Sequence, residues 1–199
     1  MEAWLSIVLR QIILYSLPVL ISLTCISLLE SRLCRKPMPH PFFAISWRGS
    51  WLPLLAAIAF HRGMLIAPTR PLQFGPAAAA IRFFCHVFLC ILGFLLYAWS
   101  LHHQAPAGLP PLHHWWAKVF MFFNLCMAAM HFLPLPHFFI GEWLVLTAPG
   151  KKIASRLEET GIVIGMVMLA ASPLLDWLLG SRIVFPVYKI LSSLAYSLF

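Results

Sequence analysis

Charge is what this chain has least of. Only 10% of its 199 residues are Asp, Glu, Lys or Arg, and only six of those are acidic. A soluble domain carries about 25% charged and about 45–50% apolar residues; here 61% are hydrophobic and the mean hydropathy is +0.87. That shortage excludes an ordinary soluble domain and identifies a polytopic integral membrane protein. Paired cysteines are also lacking. Cys25, Cys34, Cys85, Cys90 and Cys126 include no Cys-x-x-Cys, and four of them lie in apolar segments. They read as small buried hydrophobes, not as a disulfide framework or zinc knuckle. No basic patch is interleaved with exposed aromatics, so the net charge of +8 is assigned to orienting the spans and not to nucleic acid. A cleavable signal peptide is not expected, because the first apolar run is too long for one and lacks a small-x-small site. Repeats, low-complexity tracts and long linkers are missing too. Residues 1–199 are therefore expected to form a single all-α membrane domain of four to six embedded helices, at about 20 residues per span.

What is present can be placed along the chain. Trp4 to Leu29 is a first span with Pro18 inside, followed by Glu30, Arg32, Arg35 and Lys36, an interface charge cluster. Trp51 to Pro68 is apolar but short and interrupted by Pro53, His61, Arg62 and Gly63, which suits a re-entrant or tilted segment. Ala77 to Ser100 is a second span, Ala117 to Leu133 a third and Thr160 to Leu179 a fourth, with Ile183 to Phe199 a final apolar helix. Lys and Arg gather in residues 31–70 and 149–159 and are missing from 101–116. The positive-inside rule then places loops 31–76 and 149–159 in the cytoplasm and the N-terminus outside.

The most informative stretch runs from Asn124 to Gly141: an apolar helix, Pro134 and Pro136 two apart, then apolar residues to a glycine. Proline removes a backbone donor and breaks the helical ladder. At membrane depth such a break needs protein or a watery cavity to satisfy the freed groups.

This stretch resembles the third core helix of the site-2 protease family, the intramembrane zinc metalloproteases, which in small bacterial members reads approximately N-L-x-L-A-x-F-N-L-L-P-I-P-P-L-D-G-G. Asn124-Leu125 and Ala128 match, Leu133-Pro134-Leu135-Pro136 takes the Leu-Pro-Ile-Pro, and Gly141 the second glycine. His131 stands at the second Asn, His137 at the third Pro, and Phe139 at the Asp that binds zinc. Gly49 to Pro53, Gly63 to Pro68, Pro71 and Pro76 resemble the proline-rich stretch between the first two core helices, so the likeness covers about residues 15–145, with 160–199 as additional helices. It implies the fold and a bacterial inner (plasma) membrane setting.

It does not imply the reaction. The family's first core helix carries His-Glu-x-x-His, in which two histidines at i and i+4 bind zinc and the Glu polarises water. That motif occurs nowhere here. The corresponding stretch puts Ser27 and Ser31 at the ligand positions and Leu28 at the base position. The resemblance thus implies a degenerate member with no catalytic residues and no cofactor, retained as a scaffold or accessory subunit beside other membrane protein subunits and the bilayer.

Two alternatives belong to other classes. One is a divergent zinc hydrolase using His131 and His137, the candidate metal ligands flanking the break; the simpler role for both is to satisfy freed backbone groups. The other is a haem, electron-transfer or transport subunit built on the nine histidines. The pairs His102-His103 and His113-His114, between Trp99 and Trp115-Trp116, read as an aromatic interfacial belt. Arg82 and His86, at i and i+4 on the second span, and Asp176 are candidate contacts to a partner or lipid phosphate. Asp176 is also within reach of Arg182, and Glu142 of Lys118 or an inward Arg.

Overall fold

The first apolar run folds as one helix, α1 (Glu2–Leu33). Pro18 interrupts its ladder, and the Ser22 hydroxyl donates to the Pro18 carbonyl at 2.8 Å. The helix stops where Arg35 turns left-handed (φ 53°) and Lys36 N–H reaches back to Ser31 O at 2.9 Å, the usual way of satisfying terminal carbonyls. This computed structural model describes residues 2–38, 40, 45–103, 110–147 and 159–198. All regular structure among them is helical.

After α1 comes a π-helical turn, Trp47–Trp51, whose cap Ser46 accepts from Gly49 N–H. It runs into α2 (Leu52–Ala59), which has Pro53 in its first turn. At 1.5 Å per residue α2 is only about 12 Å long and cannot cross a bilayer. The chain turns at His61 (φ 51°) and returns extended, with Met64, Leu65, Ile66 and Ala67 fully buried. This is the segment the proline and glycine spacing marks as unfit for a clean span. Gly75 (φ 114°) then launches α3 (Pro76–His102).

α4 (Leu112–Met130) lies at the centre, buried along most of its length. Its contact with α3 is close because Gly93 has no side chain: a Cβ there would fall 2.7 Å from the Met121 backbone nitrogen. Small residues of this kind let membrane helices approach, where packing rather than water exclusion drives association. The histidines 113 and 114 and both tryptophans beside them belong to the first turns of α4, not to a loop. After the proline break come α5 (Phe139–Val145) and α6 (Glu159–Ala171).

The expected span from Thr160 to Leu179 is in fact two pieces. Ser172-Pro173 ends α6, since Pro173 offers no donor, and a new helix starts as a π-helical stretch, Asp176–Val184, continuing as α7 (Phe185–Ser197). The final helix thus begins at Asp176, not Ile183. Among the described residues, three helical stretches are long and apolar enough to cross a membrane: Trp4–Leu33, Pro76–His102 and Asp176–Ser197. α1, α2, the extended return, α4, α6 and the last helix share the main core, in which Leu23, Leu54, Ile66, Phe123, Met127 and Leu175 are all nearly inaccessible. The basic loop at 149–159, used above for orientation, lies outside the described residues except for Glu159.

Candidate functional site

The proline break is held open by its own backbone and by one histidine. Leu133 N–H still bonds Met130 O, but Ile140 N–H returns to His131 O at 3.2 Å and Phe139 N–H donates to His131 Nδ1 at 3.3 Å. His137 adopts φ 71°, and α5 starts immediately after. Gly141 is required here, because a Cβ would run into the Leu135 carbonyl. Pro134 and Pro136 therefore make a compact reversal, and Gly141 lets α5 close on it.

Around this reversal lies a buried polar network. Glu30 on α1 and Arg82 on α3 form an ion pair at 2.5 Å, with side-chain exposures of 0% and 3%. Arg82 also donates to Gln73 O at 3.1 Å and, through its other terminal nitrogen, to His137 O at 3.0 Å. Glu142 on α5 accepts from Gly75 N–H at 2.7 Å and His137 N–H at 3.1 Å, and faces the His137 ring at 3.7 Å. The His137 ring foremost, then the Gly75 and His137 amides, hold the Glu142 carboxyl below the ordinary Glu range, while burial acts in the opposite direction.

One layer deeper, Asn124 joins three helices. Its amide nitrogen donates to Ser22 Oγ and to Phe120 O, both at 2.8 Å, and its oxygen faces His86 Nδ1 at 3.0 Å. Since that oxygen only accepts, His86 carries its proton on Nδ1. The His86 and His131 rings stand 5.8 Å apart.

The positions singled out in the sequence can now be placed. Ser27 and Ser31 are both buried on α1; Ser31 Oγ donates to Lys36 O, and Ser27 Oγ has no hydrogen-bond partner. Leu28 and Phe139 are half-buried. Asn124, His131, His137, Pro134, Pro136 and Gly141 all belong to the reversal and its network. Arg82 and His86 do not reach lipid or a neighbouring subunit as expected: they are 3% and 1% exposed and bonded internally. Asp176 likewise serves this chain, accepting from Gly63 N–H at 3.1 Å and Met64 N–H at 2.8 Å. Its expected partner Arg182 lies over the Trp177 ring instead, 4.9 Å away. Glu142 pairs with neither Lys118 nor an Arg; Lys118 sits over the rings of Tyr97 and Trp115.

Glu30, expected in an interfacial charge cluster, is fully buried. Ser22, Gln73 and Gly75 also belong to the network, and no motif in the sequence marks them. A usable signal existed for Glu30 and Glu142, since in so apolar a chain each carboxylate must find a donor. In the histidine belt, His103 bonds Trp99 O at 2.9 Å, while His114 is buried and meets Ser100 Oγ at 3.0 Å.

The zinc that active site-2 proteases hold does not fit these residues. Zinc needs three or four nitrogen, sulfur or carboxylate ligands. Among the described residues no group of three His, Cys, Asp or Glu side chains is placed to hold a metal. Glu30 already carries a guanidinium, whose charge opposes a second cation. His131 Nδ1 is committed to a backbone N–H. Compared with known proteins, the chain matches no family model, no curated protein and no solved structure.

Proposed function

We propose that this chain is a catalytically silent relative of the site-2 proteases that serves as a scaffold or accessory subunit of a larger membrane complex, in a bacterial plasma membrane with its N-terminus outside. The observation that carries the reading is the Glu30–Arg82 pair beside the reversal. The charged groups beside the reversal are spent on joining α1, α3, the extended return and α5, not left free to bind metal or activate water. Hydrolysis of a peptide bond in a membrane needs an activated water, and nothing in the network supplies one. Such a network fixes helix positions, which is what a scaffold requires.

The outer face of α3 supports the partner half of the proposal. Phe84, Phe88, Ile91 and Leu95 recur at helical spacing and are each more than half exposed. This stripe is wide enough for another helix to pack along it. Photo-crosslinking from positions 88 and 95 in native membranes, with metal analysis of the purified chain, tests both halves. Discrete protein adducts and less than one-tenth zinc per chain are expected (about 0.1, set against a site needing full occupancy to act). Adducts to lipid alone would sink the subunit reading, and stoichiometric zinc the silent one.

A further inference from the structure

Beside the reversal a cleft of about 470 Å³ opens between α6, the π-helical turn at Trp47–Trp51 and the end of the extended return. Its lining divides by chemistry. Arg48 and Arg70 are its charged lining residues, and Phe138, Ile162, Ile164 and Met166 are among its apolar ones. Both arginines are exposed, and neither makes an ion pair or side-chain hydrogen bond among the described residues. No carboxylate is found among the described lining residues. Arg70 is three residues from Gln73, whose N–H faces Glu30 at the end of α1. Ser50, two residues from Arg48, donates to Pro68 O, two residues from Arg70, at 2.6 Å, so both arginines belong to the part of the fold near the end of α1, which Arg32, Arg35 and Lys36 follow in the chain. From there the apolar wall follows α6, a helix whose residues are uncharged from Thr160 to Ala171.

We infer that this cleft holds one anionic phospholipid, its phosphate between Arg48 and Arg70 and an acyl chain along α6. Guanidinium groups match phosphate oxygens in charge and in forked geometry. Two of them without partners among the described residues are a recognition pair for an anionic headgroup. The apolar arm selects a lipid over a free phosphate ester, because only a lipid covers Ile162, Ile164 and Met166. The lipid would also brace the reversal, since Pro136, His137 and Phe138 form part of the same wall. This reading is independent of whether the chain is silent or has partners.

The test is lipid retention by the full-length chain, purified in mild detergent, delipidated, and exposed to vesicles of phosphatidylglycerol or of phosphatidylcholine. Mass spectrometry should find one phosphatidylglycerol per chain, with little phosphatidylcholine. Arg48→Gln/Arg70→Gln should weaken retention about thirtyfold, roughly fivefold for each arginine, while Arg10→Gln at the far end of α1 leaves it unchanged. Ile164→Trp, which fills the apolar arm without touching either arginine, should also expel the lipid and covers the case in which the double variant misfolds. Equal retention of phosphatidylcholine, unchanged retention in the folded double variant or in Ile164→Trp, or an equal loss in Arg10→Gln would overturn the inference. So would displacement by glycerol phosphate at equal concentration, which would assign the arginines to a soluble phosphate ester.

Discussion

Two proline breaks divide this molecule, and they are secured by the same device at different depth. At Pro134 and Pro136 the freed backbone is held by Glu142, six residues beyond the second proline, which bonds Gly75 N–H and His137 N–H. At Pro173 the carboxylate is Asp176, three residues on, bonding Gly63 N–H and Met64 N–H. Both acids, and Glu30 through Gln73 N–H, grip the same non-helical stretch between α2 and α3. In a bilayer that stretch has no water to satisfy its amides; three of the chain's six acidic residues are spent on it. The difference is what surrounds each carboxylate. The first break adds a fully buried ion pair, Glu30–Arg82; at the second, Asp176 is half-buried and the nearby guanidinium, Arg62, donates to the Ala171 carbonyl at 2.6 Å. The first is therefore expected to be rigid and intolerant, the second more forgiving.

The largest expected effect separates them at Arg82. Arg82→Met leaves the Glu30 carboxylate buried and unpaired, which should destabilise the fold by about 3–5 kcal/mol. Glu30→Leu/Arg82→Met should recover most of that, because removing both charges removes the burial penalty. Unfolding in detergent titrated with SDS measures both; a double variant as damaged as the single one would mean the pair is not what holds this region.

Next is Gly141→Ala, whose new methyl meets the Leu135 carbonyl across the reversal. Overpacking against backbone is expected to cost about 1–3 kcal/mol. By contrast Gly165→Ala on α6, eight residues before Pro173, has open space around the added Cβ and should be neutral or slightly stabilising by the same unfolding measurement.

Asp176→Asn keeps the shape but offers one acceptor where there were two, setting its NH2 against the N–H of Gly63 or Met64, so a loss of about 1–2 kcal/mol is expected. Hydrogen exchange should locate it: Gly63 and Met64 amides exchange faster while Gly75 and His137 stay protected. Faster exchange at all four would show that the two breaks are not independent.

The smallest effect is a pH dependence of the first break. The Glu142 carboxyl lies below its ordinary value, so its contribution is present above the unfolded-state value of about 4.3. It is lost as pH falls through the lower folded-state value. Thermal unfolding of the wild type should therefore drop more steeply between about pH 4.5 and pH 3 than that of Glu142→Gln. Parallel profiles would remove Glu142 from the account of acid sensitivity.

Much of this was legible in the chain. The scarcity of charge required a membrane protein, Pro53 with Gly63 forbade a span between residues 51 and 68, and Pro134-Leu135-Pro136 announced the reversal before Gly141. These are local facts, set by which backbone groups a residue can offer. Pro173 was visible too, but its apolar neighbours made a continuous span the natural reading, and only the helix restart at Asp176 shows the division. Which donor each carboxylate would find was not legible. Glu30 meets Gln73 across 43 residues, Glu142 meets Gly75 across 67, and Asp176 meets Gly63 across 113. A sequence can require that a buried charge be paired, since leaving it bare is too costly. The partner is chosen by whichever strand of backbone the helices bring alongside, and only the packed tertiary structure decides that.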